Sequence, residues 1–119
     1  MAKKGPILYL LTQRQEFNEE AMKNSDLICS VSHALLGRVT PNLRAVYITF
    51  ENEIIVLTFY YDKEPTEDEF ELANLADTDF ISDLPDSESD FRVRTTPYPM
   101  KIPNQGFCIY HRYEDEASI

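Results

Sequence analysis

Two apolar, extended segments with three residues between them constrain this chain more than any other feature. In 43–50, Val46, Ile48 and Phe50 alternate with Ala45, Tyr47 and Thr49, the period of a strand whose two faces meet different surroundings. From Ile54 to Tyr61 every position is β-branched, aliphatic or aromatic, so both faces of that strand are apolar. The link Glu51-Asn52-Glu53 is short, and an antiparallel hairpin is its economical reading. The second strand is then expected at the centre of a sheet with helices covering at least one side.

That cover is legible on either side of the hairpin. Leu27, Ile28, Val31, Ala34 and Leu35 fall on one helical face, in a pattern that clears from Glu19 onward. Gly37 follows the last of them and reads as a left-handed C-cap, where a Cβ would clash. Thr40-Pro41-Asn42 then turns the chain into the first strand. Downstream, Thr66 and Glu69 have the spacing of a capping box, and Glu67, Asp68 and Glu69 meet the positive end of a helix dipole. This helix is expected to reach about Leu84 and stop at Pro85. Phe70, Ala73, Ala76, Phe80, Ile81 and Leu84 group on one side of it. Glu71, Leu75, Thr78, Asp79 and Ser82 lie opposite, with Asp68 close by.

Further on, 86–90 reads as a polar loop and 91–95 as a hairpin-type strand, from its period-two alternation. Pro97, Pro99 and Pro103 keep 96–104 irregular, and 106–113 reads as the last strand. Residues 114–119 are expected to fray as an acidic tail. Residues 1–17 form an unassigned lead-in, in which Ile7–Leu11 reads equally as a short strand or the approach to a helix. The expectation is one α+β domain over 1–119, in the order helix, strand, strand, helix, strand, strand. Its sheet is expected to be four-stranded and mostly antiparallel, with both helices packed against it.

Charge is distributed as unevenly as hydrophobicity. Twelve of the 21 carboxylates lie between Asp62 and Asp90, beside a single basic residue, Lys63. That stretch carries −11 in a chain whose formal net charge is −10. Such a field attracts cationic partners and repels phosphate backbones, so direct binding of nucleic acid is not expected. No apolar run approaches the length of a membrane span. Lys3-Lys4 followed by Ile7–Leu11 is too short for an export signal, is broken by Pro6 and lacks a cleavage site, which favours a cytoplasmic protein. Cys29 and Cys108 sit far apart with no CxxC, so neither a disulfide framework nor a zinc site is expected. Both read as inert, partly buried thiols.

The chemistry-bearing residues are few. His33 falls beside the apolar stripe of the first helix and reads as a core-edge histidine donating to a backbone carbonyl; His111 reads as a cross-strand surface residue. No GxGxxG, P-loop, GxSxG or HExxH occurs, and there are only three glycines. Asp83, Asp86, Glu88 and Asp90 lack the turn glycine and order of a calcium loop. No catalytic residue, metal site or cofactor is therefore expected. Arg44, at the start of a core strand, reads as structural, bridging carboxylates or carbonyls with its planar fork. What remains is recognition. The expected partner-binding residues are Asp68, Glu71, Leu75, Asp79, Asp83, Asp86 and Glu88, with Leu75 as an apolar anchor among acids. A small acidic enzyme or metal-dependent hydrolase is the second class these residues leave open.

Several segments are also familiar as a set: Ser32-His33-Ala34-Leu35-Leu36-Gly37, Val39-Thr40-Pro41-Asn42-Leu43-Arg44-Ala45-Val46, Phe59-Tyr60-Tyr61-Asp62, Phe80-Ile81-Ser82-Asp83 and Tyr110-His111-Arg112-Tyr113-Glu114. Their order and spacing resembles a family of small bacterial immunity proteins found beside polymorphic toxins, including contact-dependent growth-inhibition systems. The resemblance covers roughly 30–114. It implies a non-catalytic cytosolic protein that binds and blocks the toxin domain of a sibling cell's effector, commonly a nuclease. A nuclease needs a basic surface for its substrate, and an acidic inhibitor can occupy that surface as a phosphate mimic.

Overall fold

A computed structural model of the protein describes residues 25–114. The lead-in over 1–17 and the tail beyond Glu114 lie outside the described residues. The first helix, α1, is helical over 25–34 and closes in a turn at Gly37, whose φ of +76° is the left-handed conformation its position demanded. Leu27, Val31, Ala34 and Leu35 are buried, and Ile28 is half-buried at the margin of the stripe.

The hairpin follows as β1 (Leu43–Glu51) and β2 (Ile54–Tyr61), paired antiparallel out to Glu51 opposite Ile54. The reversal is thus two residues, Asn52 at φ 52° and Glu53 at φ 69°. Two left-handed residues give a turn whose twist matches that of the strands. The second helix, α2 (Glu67–Ser82), ends slightly before the expected Leu84. It is followed by β3 (Glu88–Thr95) and β4 (Phe107–His111).

The sheet order is β3-β2-β1-β4, with β2 central as expected. It is a mixed sheet rather than a mostly antiparallel one. β1 runs antiparallel to β2 and β4, but β3 runs parallel to β2, so it is not a hairpin-type strand. The reason is the connection: a 16-residue helix carries the chain back to the end of the sheet from which β2 started. β3 also begins within the expected polar loop, since Glu88, Ser89 and Asp90 pair with Ile54, Ile55 and Val56. A neighbouring strand supplies their backbone partners, which no side-chain pattern announces.

Both helices pack on one face. There Val46, Ile48, Leu57 and Phe59 meet Leu27, Val31, Ala73, Ala76 and Phe80. Full burial of a side chain such as Phe59 or Phe80 contributes about 2–3 kcal/mol. Phe91 joins β3 to this layer, with its ring 6.5 Å from that of Phe59 and 5.3 Å from that of Phe70. Phe70, expected inside, is half exposed and makes its contact at the helix margin. The opposite face carries a smaller cluster of Ala45, Tyr47 and Tyr60, packed by Ile102 from the proline-rich segment. Burial and a hydrogen bond with Cys108 push the Tyr47 hydroxyl up to about 12.

Other expectations about single residues are also overturned. Glu114 does not belong to a frayed tail; it is buried, and its carboxylate takes Arg44 Nε at 2.6 Å and Nη2 at 2.8 Å. The cysteines are exposed rather than partly buried. Cys29 falls on the opposite side of α1 from Leu27 and Val31, and Cys108 sits on the edge strand β4.

Candidate functional site

The outward side of α2 is the strongest candidate surface, and its placement begins with the cap. Thr66 accepts from the Glu69 backbone at 3.1 Å while Glu69 accepts from the Thr66 backbone at 3.0 Å, completing the capping box. Such a cap stabilises a helix by about 1 kcal/mol. Glu69 has a second task. It also accepts from Thr40 at 2.6 Å and Asn42 at 3.1 Å, tying the segment after α1 to the start of α2. Burial raises the Glu69 pKa, but these hydrogen bonds outweigh it and hold the carboxyl below its ordinary value.

At the other end Arg38 donates to the Ala34 carbonyl at 3.0 Å and pairs with Asp79. Ser30 donates to Asp83, the C-cap of α2, at 3.2 Å. Residues 38–42 therefore run alongside α2 from Asp79 back toward Glu69. Between the end of α1 and the last turns of α2 lies a cleft of about 400 Å³, lined by Ser30, His33, Ala34, Leu36, Arg38, Asp79, Ser82 and Asp83.

Asp68, Glu71, Leu75, Asp79 and Asp83 succeed one another at three- and four-residue intervals, so they form one stripe along α2. All five are exposed, Leu75 to 39%. Asp86 lies in the turn beyond and Glu88 opens β3; both are exposed, but neither continues the helical stripe. Leu36, 69% exposed, lines the cleft, and Val39, 40% exposed, lies within the 38–42 segment, so both add exposed apolar surface. Sequence reasoning missed them because Leu36 falls next to the buried Leu35 and Val39 lies in the irregular link between α1 and β1. The one available signal was that neither fits the period of the buried stripe.

Not every acid in the −11 stretch contributes to an outward field. Asp62 receives the Tyr98 backbone N–H at 2.8 Å and Arg112 Nη2 at 2.9 Å, which together lower its pKa. Asp77 faces β3, where burial raises its pKa against a hydrogen bond from Ser89, and its Oδ1 has no partner among the described residues. With Glu69 committed to the cap, the acids left on the surface are concentrated on and just beyond the outward stripe.

His33 is exposed on the cleft wall rather than donating to a carbonyl at the core edge. His111 is an exposed residue of β4, its Nδ1 2.7 Å from the Arg112 carbonyl. Among the described residues no three His, Cys, Asp or Glu side chains are grouped to hold a metal ion. No helix among them is long and apolar enough to cross a membrane. An exposed charged stripe with an apolar centre has the chemistry to meet a surface of opposite charge.

Residues 24–114 match the family model described as MafI2 immunity protein. No curated protein matches the chain.

Proposed function

We propose that this chain, which belongs to the MafI2 immunity protein family, binds a basic nuclease toxin domain through the outward face of α2 and blocks it in the cytoplasm. Family membership carries an immunity function and, with it, a cognate toxin as partner. The carrying observation is the stripe itself: Asp68, Glu71, Asp79 and Asp83 exposed around Leu75 on one side of a capped helix. Asp86 and Glu88 extend the negative field past the helix end and act on approach rather than in the contact. The arrangement has the anatomy of an interface, with desolvated apolar residues at the centre and charges at the rim. An enzyme that handles RNA or DNA presents cationic surface to phosphate, and this face offers carboxylates in place of phosphates.

Rim charge and apolar centre act on different rate constants. Screening extends over about 8 Å at physiological ionic strength, so exposed carboxylates chiefly set the association rate. Leu75 chiefly sets release. Glu71 is the cleaner charge to reverse, because Asp79 also holds Arg38. In stopped-flow binding with the co-purified toxin domain, Glu71→Lys slows association and flattens its dependence on salt. Leu75→Ala speeds release roughly tenfold, equivalent to about 1.4 kcal/mol. Salt-insensitive association, with both folded variants binding like the parent, would place the interface elsewhere.

A further inference from the structure

Helices favour anions at their N-termini and cations at their C-termini, because each opposes the local end of the macrodipole. α2 obeys this rule at its start with Glu67, Asp68 and Glu69, and breaks it at its end. Its last turn has no basic residue, Asp79 lies just before that turn, and Asp83 is the cap. Two carboxylates four residues apart repel each other as well as meeting the negative pole. This local conflict sits on one wall of the cleft, opposite Ser30, His33 and Ala34 of α1. Among the described residues that line it, the cleft holds one guanidinium, that of Arg38, against two carboxylates. Among the described residues the Asp83 carboxylate is engaged only through the Ser30 hydroxyl at 3.2 Å, long for a bond between oxygens.

A cleft, two carboxylates against one guanidinium among its described lining, and a last helical turn with no basic residue all call for the same chemistry. Resting on the reading of the α2 face as toxin-binding, we propose that the cleft receives an arginine side chain of the toxin. Its guanidinium bridges Asp79 and Asp83, and its stem lies against Leu36 and Ala34. Arginine fits better than lysine because a planar fork can address two carboxylates at once and is less strongly hydrated. The complex then adds a cation at the C-terminal end of α2, whose last turn carries no basic residue of its own. The conflict in the free protein is the counterpart of affinity in the bound one.

This predicts effects of opposite sign from one substitution. Asp83→Asn in the full chain raises the melting temperature by about 2 °C, since a charge leaves the wrong end of the dipole. The same variant binds the co-purified toxin domain about tenfold more weakly, mainly through faster release. Ser82→Trp, which fills the cleft from its exposed rim, weakens binding without loss of stability. If Asp83→Asn lowers melting temperature and affinity together, Asp83 is a structural cap and the cleft assignment is wrong. If both cleft variants bind like the parent while Glu71→Lys does not, the cleft is overturned and the α2 face stands. If Glu71→Lys and Leu75→Ala also bind like the parent, the face falls with it.

Discussion

Arg44 carries a full charge with no exposed surface, and its guanidinium makes four hydrogen bonds. Two go to Glu114, the others to the carbonyls of Thr96 at 2.7 Å and Met100 at 2.8 Å. Arg44 is the extra residue of a bulge in β1, since Leu43 and Ala45 face the adjacent Tyr61 and Tyr60; bulges re-aim side chains in this way. Arg112 shares Glu114 at 2.8 Å and reaches Asp62, so four charges join the ends of β1, β2 and β4 to the segment after β3. An ammonium cannot span both carboxylate oxygens and two carbonyls. Arg44→Lys is expected to destabilise the fold by about 2 kcal/mol, a fall of roughly 8 °C in melting temperature, with toxin affinity unchanged where both proteins are folded. An unchanged melting point with a weakened complex would move Arg44 to the interface.

The carboxylates of Asp62 and Glu69 give the same region a pH dependence. Both have folded values below their ordinary 3.8 and 4.5. The stability they contribute is complete above those ordinary values and is lost as pH falls through the lower folded ones. Asp77 works oppositely: its raised value means that acid relieves a burial penalty. Thermal melts of the parent should hold from neutrality to about pH 5 and decline below it, and Glu69→Gln should flatten that decline. A parent whose melting temperature climbs steadily below pH 5 would show Asp77 to be the dominant group.

At the scale of elements, the close joints matter most. β4 meets β1 through Gly106, at φ +76°, where an added Cβ would lie 2.0 Å from the Ile48 carbonyl oxygen. That backbone cannot yield without shifting β1, which is central to the core. Gly106→Ala is expected to destabilise by about 2–3 kcal/mol and to loosen β4, seen as faster amide exchange at Phe107–His111. Gly37, at the same φ but with open space around its Cβ position, should tolerate alanine better. Equal losses at the two sites would show that backbone conformation, not the approach to Ile48, sets the requirement.

On the scale of the whole molecule, the sheet is a platform on one face of which the described helices form a layer, and the acidic stripe is the part of that layer turned to solvent. Binding by such a face, as proposed, is stoichiometric. Toxin activity should fall linearly with added protein until equivalence, and a His111→Gln variant, at a position outside the cleft, should titrate identically. Loss of protection in that variant, with normal stability and toxin binding, would point to chemistry at a histidine instead.

The hairpin, both helices, the capping box and the Gly37 turn were legible in the sequence, because each is set by residues close together in the chain. Glu69 three residues after Thr66 forms its cap whatever else the protein does, and β2 is apolar throughout because it is buried on both faces. The outward exposure of Leu75, Asp68, Glu71 and Asp79 followed from the same helical period. The direction of β3 did not, although a helix between two strands is itself the usual mark of a parallel pair. Nor did the burial of Glu114, whose partner Arg44 lies 70 residues away, or the meeting of Asp79 with Arg38 across 41. Local periodicity fixes which face of an element is apolar. Which charges find one another, and which strand edge a polar segment joins, depends on distances that exist only once the core has closed.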